Sequence, residues 1–211
     1  MSHIGLDDLV ANGTMSLDIA ATLRATVRGR HSFLVVAIPR FAGKTTVMTA
    51  MLANAPEGAP VRVVTSDGSD VPDVVAASRG GYIVVPEIAR MGRNGYIWGE
   101  PVRRVFTGVG GDVSLATALH APGMAEAIEV VTAGNRVPDE DASKLALVVY
   151  IRSLGADTQH PDARRIATVH EIEAVRAGRP RARLLHRWDE ASDRFENVDA
   201  PRRILTSTRE R

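Results

Sequence analysis

Residues 33–52 read FLVVAIPRFAGKTTVMTAML, and this stretch decides the fold. It begins with the wholly apolar run Phe33–Ala37, which is typical of a β-strand covered on both faces. Pro39 and Gly43 then break the chain, and an apolar pattern at helical spacing resumes over Thr45–Leu52. The stretch therefore predicts a buried strand, a tight turn and a helix in immediate succession.

The turn contains a Gly-Lys-Thr sequence that is typical of a phosphate-binding loop, or P-loop. In such a loop, consecutive backbone N–H groups surround a phosphate at the N-terminus of a helix. The Lys44 ammonium reaches the outer phosphates and the Thr45 hydroxyl binds Mg²⁺. We therefore expect ATP or ADP, together with Mg²⁺, as cofactors. The expected nucleotide-binding residues are Pro39, Arg40, Phe41, Ala42, Gly43, Lys44, Thr45 and Thr46.

The first half of this loop departs from the P-loop pattern. The pattern requires glycine at the position of Ile38, and Arg40 and Phe41 are bulky for a backbone that must wrap around an anion. Two other interpretations stay open: a chance Gly-Lys-Thr at a helix start, and a P-loop with weakened or lost phosphate affinity. The strand–turn–helix setting argues against chance, as does the rarity of lysine, since Lys44 and Lys144 are the only two. Weakened affinity is the stronger competitor.

The length and composition of the chain suggest one globular domain. The 211 residues suit a single domain over 1–200, with a helical lead-in over 1–30 and a flexible tail over 201–211. The absence of cysteine excludes a disulfide scaffold and thiolate zinc sites. The N-terminus lacks the features of a signal peptide, and no apolar run approaches the ~20 residues of a membrane helix. We therefore expect a cytoplasmic protein without membrane insertion.

Strand candidates alternate with helical or irregular segments along most of the chain, and a further helix is expected over Met124–Val131. This alternation predicts an α/β fold with a mainly parallel sheet. The last segments follow one another without intervening helices, which predicts antiparallel C-terminal strands. The predicted strands are Phe33–Ala37, Val61–Thr65, Tyr82–Val85, Asp112–Leu119, Leu145–Arg152, Arg164–Ile172 and Arg181–Trp188.

Two polar side chains follow predicted strands and are expected at the ligand edge of the sheet. Glu87 follows Tyr82–Val85, where a carboxylate can hold the water shell of Mg²⁺ or polarise an attacking water. His120 follows the strand that ends at Leu119, where it can contact the outermost phosphate. Each also has a plain structural interpretation, because acids in turns and histidines at strand ends are common.

Asp67 and Asp70 follow the second predicted strand and are candidates for a second catalytic carboxylate. Parallel strands end at the same edge of a sheet, so these acids can reach the cleft that contains Glu87. The sequence Asp-Gly-Ser is equally good turn chemistry. The residues alone do not decide between the two interpretations.

The remaining histidines and a group of arginines do not predict a further site. The histidines have no metal-ligand spacing. The arginines recur largely at alternate positions and give one basic strand face, which we interpret as a solvated edge and not as a specific nucleic-acid surface, since the formal net charge is only +1. The histidines are His3, His31, His160, His170 and His186, and the arginines are Arg179, Arg181, Arg183 and Arg187.

With these motifs in this order, the chain resembles the type II and type IV secretion and pilus-assembly ATPases, the GspE, PilT and CpaF group. LDDLVANGTMSLDIAATLRATV is similar to the lead-in of the CpaF branch, FLVVAIPRFAGKTTVMTAML to the first strand and Walker A loop, and GYIVVPEIA to the Walker B strand. GDVSLATALHAPGMAEAIEVV is similar to the histidine box of the family, and LALVVYIRSLG followed by ARRIATVHEIEAV to its closing hairpin. The resemblance covers about Leu6 to Phe195.

The resemblance implies a RecA-like core and an ATPase that couples hydrolysis to assembly or transport. It implies that Glu87 and Asp67 handle the attacking water and that His120 senses phosphate. It also implies that Thr45 and Glu87 hold Mg²⁺, and that the chain forms a homo-oligomer or joins a secretion or pilus machine.

The departures from the family favour an alternative function. The region between the second strand and Glu87 is far shorter than in the family, and Pro86 stands where the family has glycine. Together with Ile38, these departures favour a degenerate nucleotide-binding or regulatory module that does not hydrolyse ATP. A P-loop kinase for a small substrate is a third hypothesis, which explains the P-loop but neither the histidine box nor the hairpin.

Overall fold

The computed structural model describes residues 4–38, 41–65, 67–90, 95–157 and 160–204. Within these ranges no helix is both long enough and apolar enough to cross a membrane. The strands are β1 (Ser32–Ile38), β2 (Val61–Val63), β3 (Gly81–Val85), β4 (Glu87–Ile88), β5 (Tyr96–Ile97), β6 (Val113–Leu119), β7 (Leu145–Leu154), β8 (Ala163–Arg176), β9 (Arg179–Asp189) and β10 (Arg194–Asn197). The helices are α1 (Leu6–Ala11), α2 (Leu17–Arg28), α3 (Lys44–Leu52), α4 (Val71–Ala77), α5 (Glu100–Gly108), α6 (Met124–Glu129) and α7 (Asp139–Ala142), and a π-helical turn (Val130–Gly134) follows α6.

Eight of the strands form one sheet in the order β10-β9-β8-β7-β1-β6-β3-β2. The strands from β7 to β2 in this order are parallel to one another. The strands β8, β9 and β10 extend the sheet by antiparallel pairing. The structure therefore confirms the predicted α/β fold with a mainly parallel sheet and antiparallel C-terminal strands.

The central strand β1 is buried on both faces, as its apolar sequence predicts. All five residues from Phe33 to Ala37 are 0% exposed. Phe33 and Val35 pack in a cluster with apolar residues of α1, α2 and α3. Leu34 and Val36 face the opposite side, in a cluster with α5 and α6. Helices thus cover both faces of the parallel region.

The connections that follow β1 and β6 pack on opposite faces of the sheet. The helix α3, which follows β1, contributes Val47 and Met48 to the cluster that contains Phe33. The helix α6, which follows β6, contributes Ala127 and Ile128 to the other cluster. Since β1 and β6 are neighbours, a crevice is expected where the chain leaves their carboxyl ends, which is the usual ligand position in open α/β sheets.

Two predicted elements end earlier than their sequence pattern suggested. The strand β2 ends at Val63, because the Thr65 N–H donates to the Asp70 carboxylate at 3.0 Å and a turn begins there. The helix α6 ends at Glu129 and continues as a π-helical turn, in which the Asn135 N–H and side-chain amide both donate to the Val130 carbonyl. In both places a short polar side chain competes with the regular backbone ladder.

A buried carboxylate fixes the described end of the chain. Glu171 on β8 is 0% exposed and accepts hydrogen bonds from the backbone N–H groups of Arg202, Arg203 and Ile204, at 2.7 to 3.1 Å. The Arg203 guanidinium donates to three backbone carbonyls nearby, and the Ile204 side chain is buried. The predicted flexible tail is thus described only to Ile204, and its flexibility stays a prediction.

We expect Glu171→Ala to lower the free energy of unfolding by about 2 kcal/mol, because three backbone N–H groups lose a charged, buried acceptor. Urea unfolding measures this loss. Glu173→Ala is the matched control, since Glu173 lies on the same strand but pairs with arginines at a 30% exposed position. We expect the control to lose less than about 1 kcal/mol. Equal losses in the two variants would contradict the role given to Glu171.

Candidate functional site

The turn between β1 and α3 has a left-handed backbone at two described residues. Phe41 has a φ of 66° and Gly43 has a φ of 94°. Glycine adopts this conformation without a steric penalty, whereas the Cβ of Phe41 makes it unfavourable there. Pro39 and Arg40, two of the predicted nucleotide-binding residues, lie outside the described residues.

The helix α3 directs its N-terminus toward this turn. Its N-cap residue is Gly43, and within the described chain no side chain caps the helix. The Val47 N–H donates to the Gly43 carbonyl and starts the helical ladder. The N–H groups of Lys44, Thr45 and Thr46 precede this ladder. Such groups, together with the helix dipole, favour the binding of an anion.

Three predicted site residues meet beside this helix N-terminus. The Nζ atom of Lys44 lies 3.7 Å from Oε2 of Glu87 and 3.1 Å from Nε2 of His120. The same Nε2 atom lies 3.1 Å from Oε1 of Glu87. The Nδ1 atom of His120 lies 3.2 Å from the Ala37 carbonyl oxygen. Glu87 therefore joins the lysine and the histidine in one cluster.

The order of the strands brings these residues together. Lys44 follows β1, His120 follows β6 and Glu87 follows β3 after one residue, and β6 lies between the other two strands. The three strands are parallel, so their carboxyl ends meet at one edge of the sheet. Lys44 and His120 are in contact although 76 positions separate them in the sequence.

The Lys44 and Glu87 side chains are nearly withdrawn from solvent. Their exposed fractions are 8% and 10%, whereas that of His120 is 30%. A charge that leaves water must be paired, because its desolvation is otherwise very unfavourable. The ammonium and the carboxylate provide this pairing for each other. They form a charged cluster on the floor of the crevice.

A cavity of about 570 Å³ lies over this cluster. Its volume is within the range of small-molecule binding sites. It is lined by every described residue of the predicted loop and by two of the three predicted catalytic residues. The predicted residues that line it are Phe41, Ala42, Gly43, Lys44, Thr45, Thr46, Glu87 and His120.

The cavity offers oxygen ligands that suit Mg²⁺. Thr45 and Glu87, the predicted metal-binding residues, both line it. Mg²⁺ prefers oxygen ligands and usually binds through one or two protein groups together with phosphates and water. Over the ranges that the structure covers, no group of three His, Cys, Asp or Glu residues forms a metal cage. The residues present therefore fit Mg²⁺ that arrives with a phosphate ligand.

Asp67, the third predicted catalytic residue, is not among the described residues that line the cavity. Its carboxylate accepts a hydrogen bond from the Ser69 N–H at 3.2 Å, which is an Asx-type turn. The neighbouring Asp70 accepts from the Thr65 N–H and hydroxyl. Both acids therefore have roles in the turn after β2, and a catalytic role for Asp67 stays a prediction.

Eight described residues that line the cavity were not predicted as site residues from the sequence. The most notable is Arg164 on β8, whose Nε and Nη2 atoms donate to the Phe41 carbonyl at 3.3 and 3.1 Å. Arg164 reaches Phe41 only because β8 pairs with β7, so the sequence around Arg164 does not predict the contact. The lining residues without a sequence prediction are Ile4, Leu9, Asn12, Thr14, Val47, Tyr96, Ile151 and Arg164.

We expect Gly43→Ala to lower the free energy of unfolding by about 1–2 kcal/mol, because alanine at a φ of 94° is strained. A Cβ there would also meet Cδ of Arg164 at 3.0 Å.

Gly58→Ala is the control for this prediction. Gly58 has a φ of 76°, but no atom of the described residues lies within 4 Å of the place that an alanine Cβ would take, so this variant reports the conformational effect alone. Urea unfolding of both variants measures the difference. An unchanged stability of Gly43→Ala would mean that the turn does not need a left-handed residue there.

Comparisons with known proteins support the fold. No protein-family model matches the chain, and no curated protein does so either. Among solved structures, the VirB11 ATPase from the Brucella suis type IV secretion system, crystallised with sulphate, matches with a TM-score of 0.50 and 18% sequence identity. The match covers 79% of this chain and 54% of that one, so this chain spans about half the length of the VirB11 chain. At this identity the likeness shows the fold alone.

Proposed function

We propose that the chain is an ATP-binding P-loop protein with a RecA-like core, related to the GspE, PilT and CpaF group of secretion and pilus-assembly ATPases. The observation that carries the proposal is the meeting of Lys44, Glu87 and His120 at the N-terminus of α3. A chance Gly-Lys-Thr sequence at a helix start gives no reason for an acid and a histidine from two other strands to lie beside the lysine.

The nucleotide phosphates bind at the turn over residues 39–46. The first N–H groups of α3 and the helix dipole attract the phosphate oxygens. The Lys44 ammonium leaves its partners in the cluster and contacts the outer phosphates. The Thr45 hydroxyl and the Glu87 carboxylate hold Mg²⁺, which when bound neutralises part of the phosphate charge.

Glu87 and His120 take the chemical roles in hydrolysis. The Glu87 carboxylate orients the attacking water by accepting its hydrogen bond and acts as the base that draws on its proton. His120, whose Nε2 atom lies 3.1 Å from Oε1 of that carboxylate, contacts the outermost phosphate and responds to its release. Asp67 is the second acid of this proposal, although its carboxylate bonds to the turn after β2.

The last part of the proposal is that hydrolysis is coupled to mechanical work. The chain works in the cytoplasm as a homo-oligomer or beside a secretion or pilus machine. Its support is the fold likeness to the VirB11 ATPase, which belongs to a type IV secretion system, and the ordered resemblance along the sequence.

A second candidate function is a nucleotide-binding or regulatory module that does not hydrolyse ATP. The observation that favours it is the buried ion pair between Lys44 and Glu87. A phosphate must replace Glu87 as the partner of Lys44, and this exchange lowers the net free energy gained by binding. The exposed ring of Phe41 adds bulk at the loop.

We expect Lys44→Ala to weaken the binding of a non-hydrolysable ATP analogue with Mg²⁺ at least about 100-fold, because the phosphates lose a charged donor. Calorimetric titration measures the affinity. Lys144→Ala is the control: it removes the only other lysine, which bonds to Asp141 and the Phe106 carbonyl away from the cavity. The control keeps the wild-type affinity. Unchanged affinity in Lys44→Ala would refute the phosphate site.

We expect Glu87→Gln to keep nucleotide affinity and to lower the rate of phosphate release at least about 100-fold, because an amide is a poor base. The change also removes the charge that competes for Lys44, so affinity does not fall. Glu100→Gln, at a half-exposed position on α5, is the control and keeps the wild-type rate. Turnover that survives in Glu87→Gln would make Glu87 a structural acid. Tight binding without turnover in the wild type would favour the non-hydrolysing module.

A further inference from the structure

The loop between β1 and α3 is held by an arginine from a distant strand. The Arg164 guanidinium donates from both Nε and Nη2 to the same acceptor, the Phe41 carbonyl oxygen. The two residues are 123 positions apart, so the contact exists only when β8 is in place beside β7. It joins the proposed phosphate loop to the antiparallel part of the sheet.

Phe41 needs such a support because its backbone is unfavourable. A phenylalanine at a φ of 66° is less stable than a glycine there, since its Cβ crowds the neighbouring backbone. The ring does not compensate by packing, because Phe41 is 65% exposed. A non-glycine residue keeps a left-handed backbone only when its surroundings enforce it. Among the described contacts of Phe41, the two hydrogen bonds from Arg164 are the ones that act on its backbone.

The bond to the carbonyl also determines the direction of the next N–H group. The Phe41 carbonyl and the Ala42 N–H belong to one planar trans peptide unit and point in opposite directions. When Arg164 holds the carbonyl on its own side, the Ala42 N–H is turned to the other side. Consecutive N–H groups of a P-loop must converge on one phosphate, so a rotation of this peptide would remove a donor from the loop.

Arg164 contacts the second left-handed residue of the loop as well. A Cβ on Gly43 would lie 3.0 Å from Cδ and 3.4 Å from Nε of Arg164, so the arginine stem lies directly on this glycine. The adjacent Arg165 has a different partner, the Asp193 carboxylate, at 2.8 and 2.9 Å. Of the two neighbouring arginines, only Arg164 contacts the loop through hydrogen bonds among the described residues.

We propose that Arg164 is a positioning residue that holds the phosphate loop in its left-handed form and thereby replaces the conformational freedom that glycine would give at Phe41. The inference rests on the proposed function for its effect on nucleotide affinity, but not for its effect on the loop. Arg164 acts through the Phe41 peptide unit, without contact to the phosphate. A direct contact between its guanidinium and the phosphate is the competing interpretation.

The effect on the loop is measured without nucleotide, by chymotrypsin cleavage after Phe41. Cleavage requires the loop to open, and its rate follows the population of the open form. We expect Arg164→Ala to raise the rate of this cleavage about tenfold, the effect of removing hydrogen bonds from a charged donor. Arg187→Ala is the control, since it removes an arginine of β9 that pairs with Glu196 at an exposed position, and it leaves the rate unchanged.

The effect on binding is measured by titration with the ATP analogue in two backgrounds. In the wild-type background, Arg164→Ala weakens the affinity about tenfold. In the Phe41→Gly background the loop needs no support, because glycine adopts the left-handed backbone freely. Arg164→Ala then weakens the affinity less than about threefold, a rescue that a purely structural role elsewhere in the fold would not produce.

The outcomes separate this inference from the proposed function. Unchanged cleavage after Phe41 in Arg164→Ala would overturn the inference, whether or not the protein binds nucleotide. An equal loss of affinity in both backgrounds would also overturn it, in favour of direct contact with the phosphate. A wild-type protein that binds no nucleotide would overturn the proposed function, and the cleavage rates would still decide the role of Arg164.

Discussion

The burial of β1 on both faces and both edges is the constraint on which the rest of the structure depends. A strand in this position must be apolar throughout and must pair with neighbours on each side, here β6 and β7. The chain can then change direction only where β1 ends, and it does so through a left-handed turn into α3. The same pairing sets the carboxyl ends of β6 and β3 beside that turn. The position of the site is therefore a consequence of how the core is built.

The charges at this site show how stability and binding oppose each other. Lys44 and Glu87 satisfy each other at the floor of the crevice, with His120 in contact with both. This pairing offsets part of the desolvation free energy that two nearly buried charges would otherwise cost. A ligand with phosphate groups gains the attraction of Lys44 only after it breaks the pairing. The net affinity thus depends on the difference between two charge-assisted contacts, each of which is individually strong.

The sequence predicts those parts of the fold and site that local pattern determines. The apolar run at β1, the break at Gly43 and the polar residues after β3 and β6 are all visible without coordinates. The parallel direction of the strands follows from the alternation of elements, whereas the order of the strands in the sheet was not predicted. The spacing of Val102, Val105 and Phe106 on α5 is also visible, although the helix was not predicted. By contrast, the contact of Arg164 with Phe41 depends on the register of β8 against β7. No residue near Arg164 in the sequence encodes that contact. The local bond of Asp67 to the Ser69 N–H, in contrast, follows the turn chemistry of Asp-Gly-Ser, which the sequence offered as one of two interpretations.

The buried carboxylate of Glu171 makes the order of synthesis physically important. Its hydrogen-bond donors are the backbone N–H groups of residues 202–204, which the ribosome adds after all the strands of the sheet. Until they emerge, the carboxylate lacks these donors and keeps its hydrogen bonds to water, although β8 itself is an inner strand of the sheet. A nascent chain therefore completes this region only after Ile204 has left the ribosome. A nascent chain that stops before residue 202 leaves this carboxylate without its three backbone donors, and such a truncated product is less stable because a buried acid remains unsatisfied.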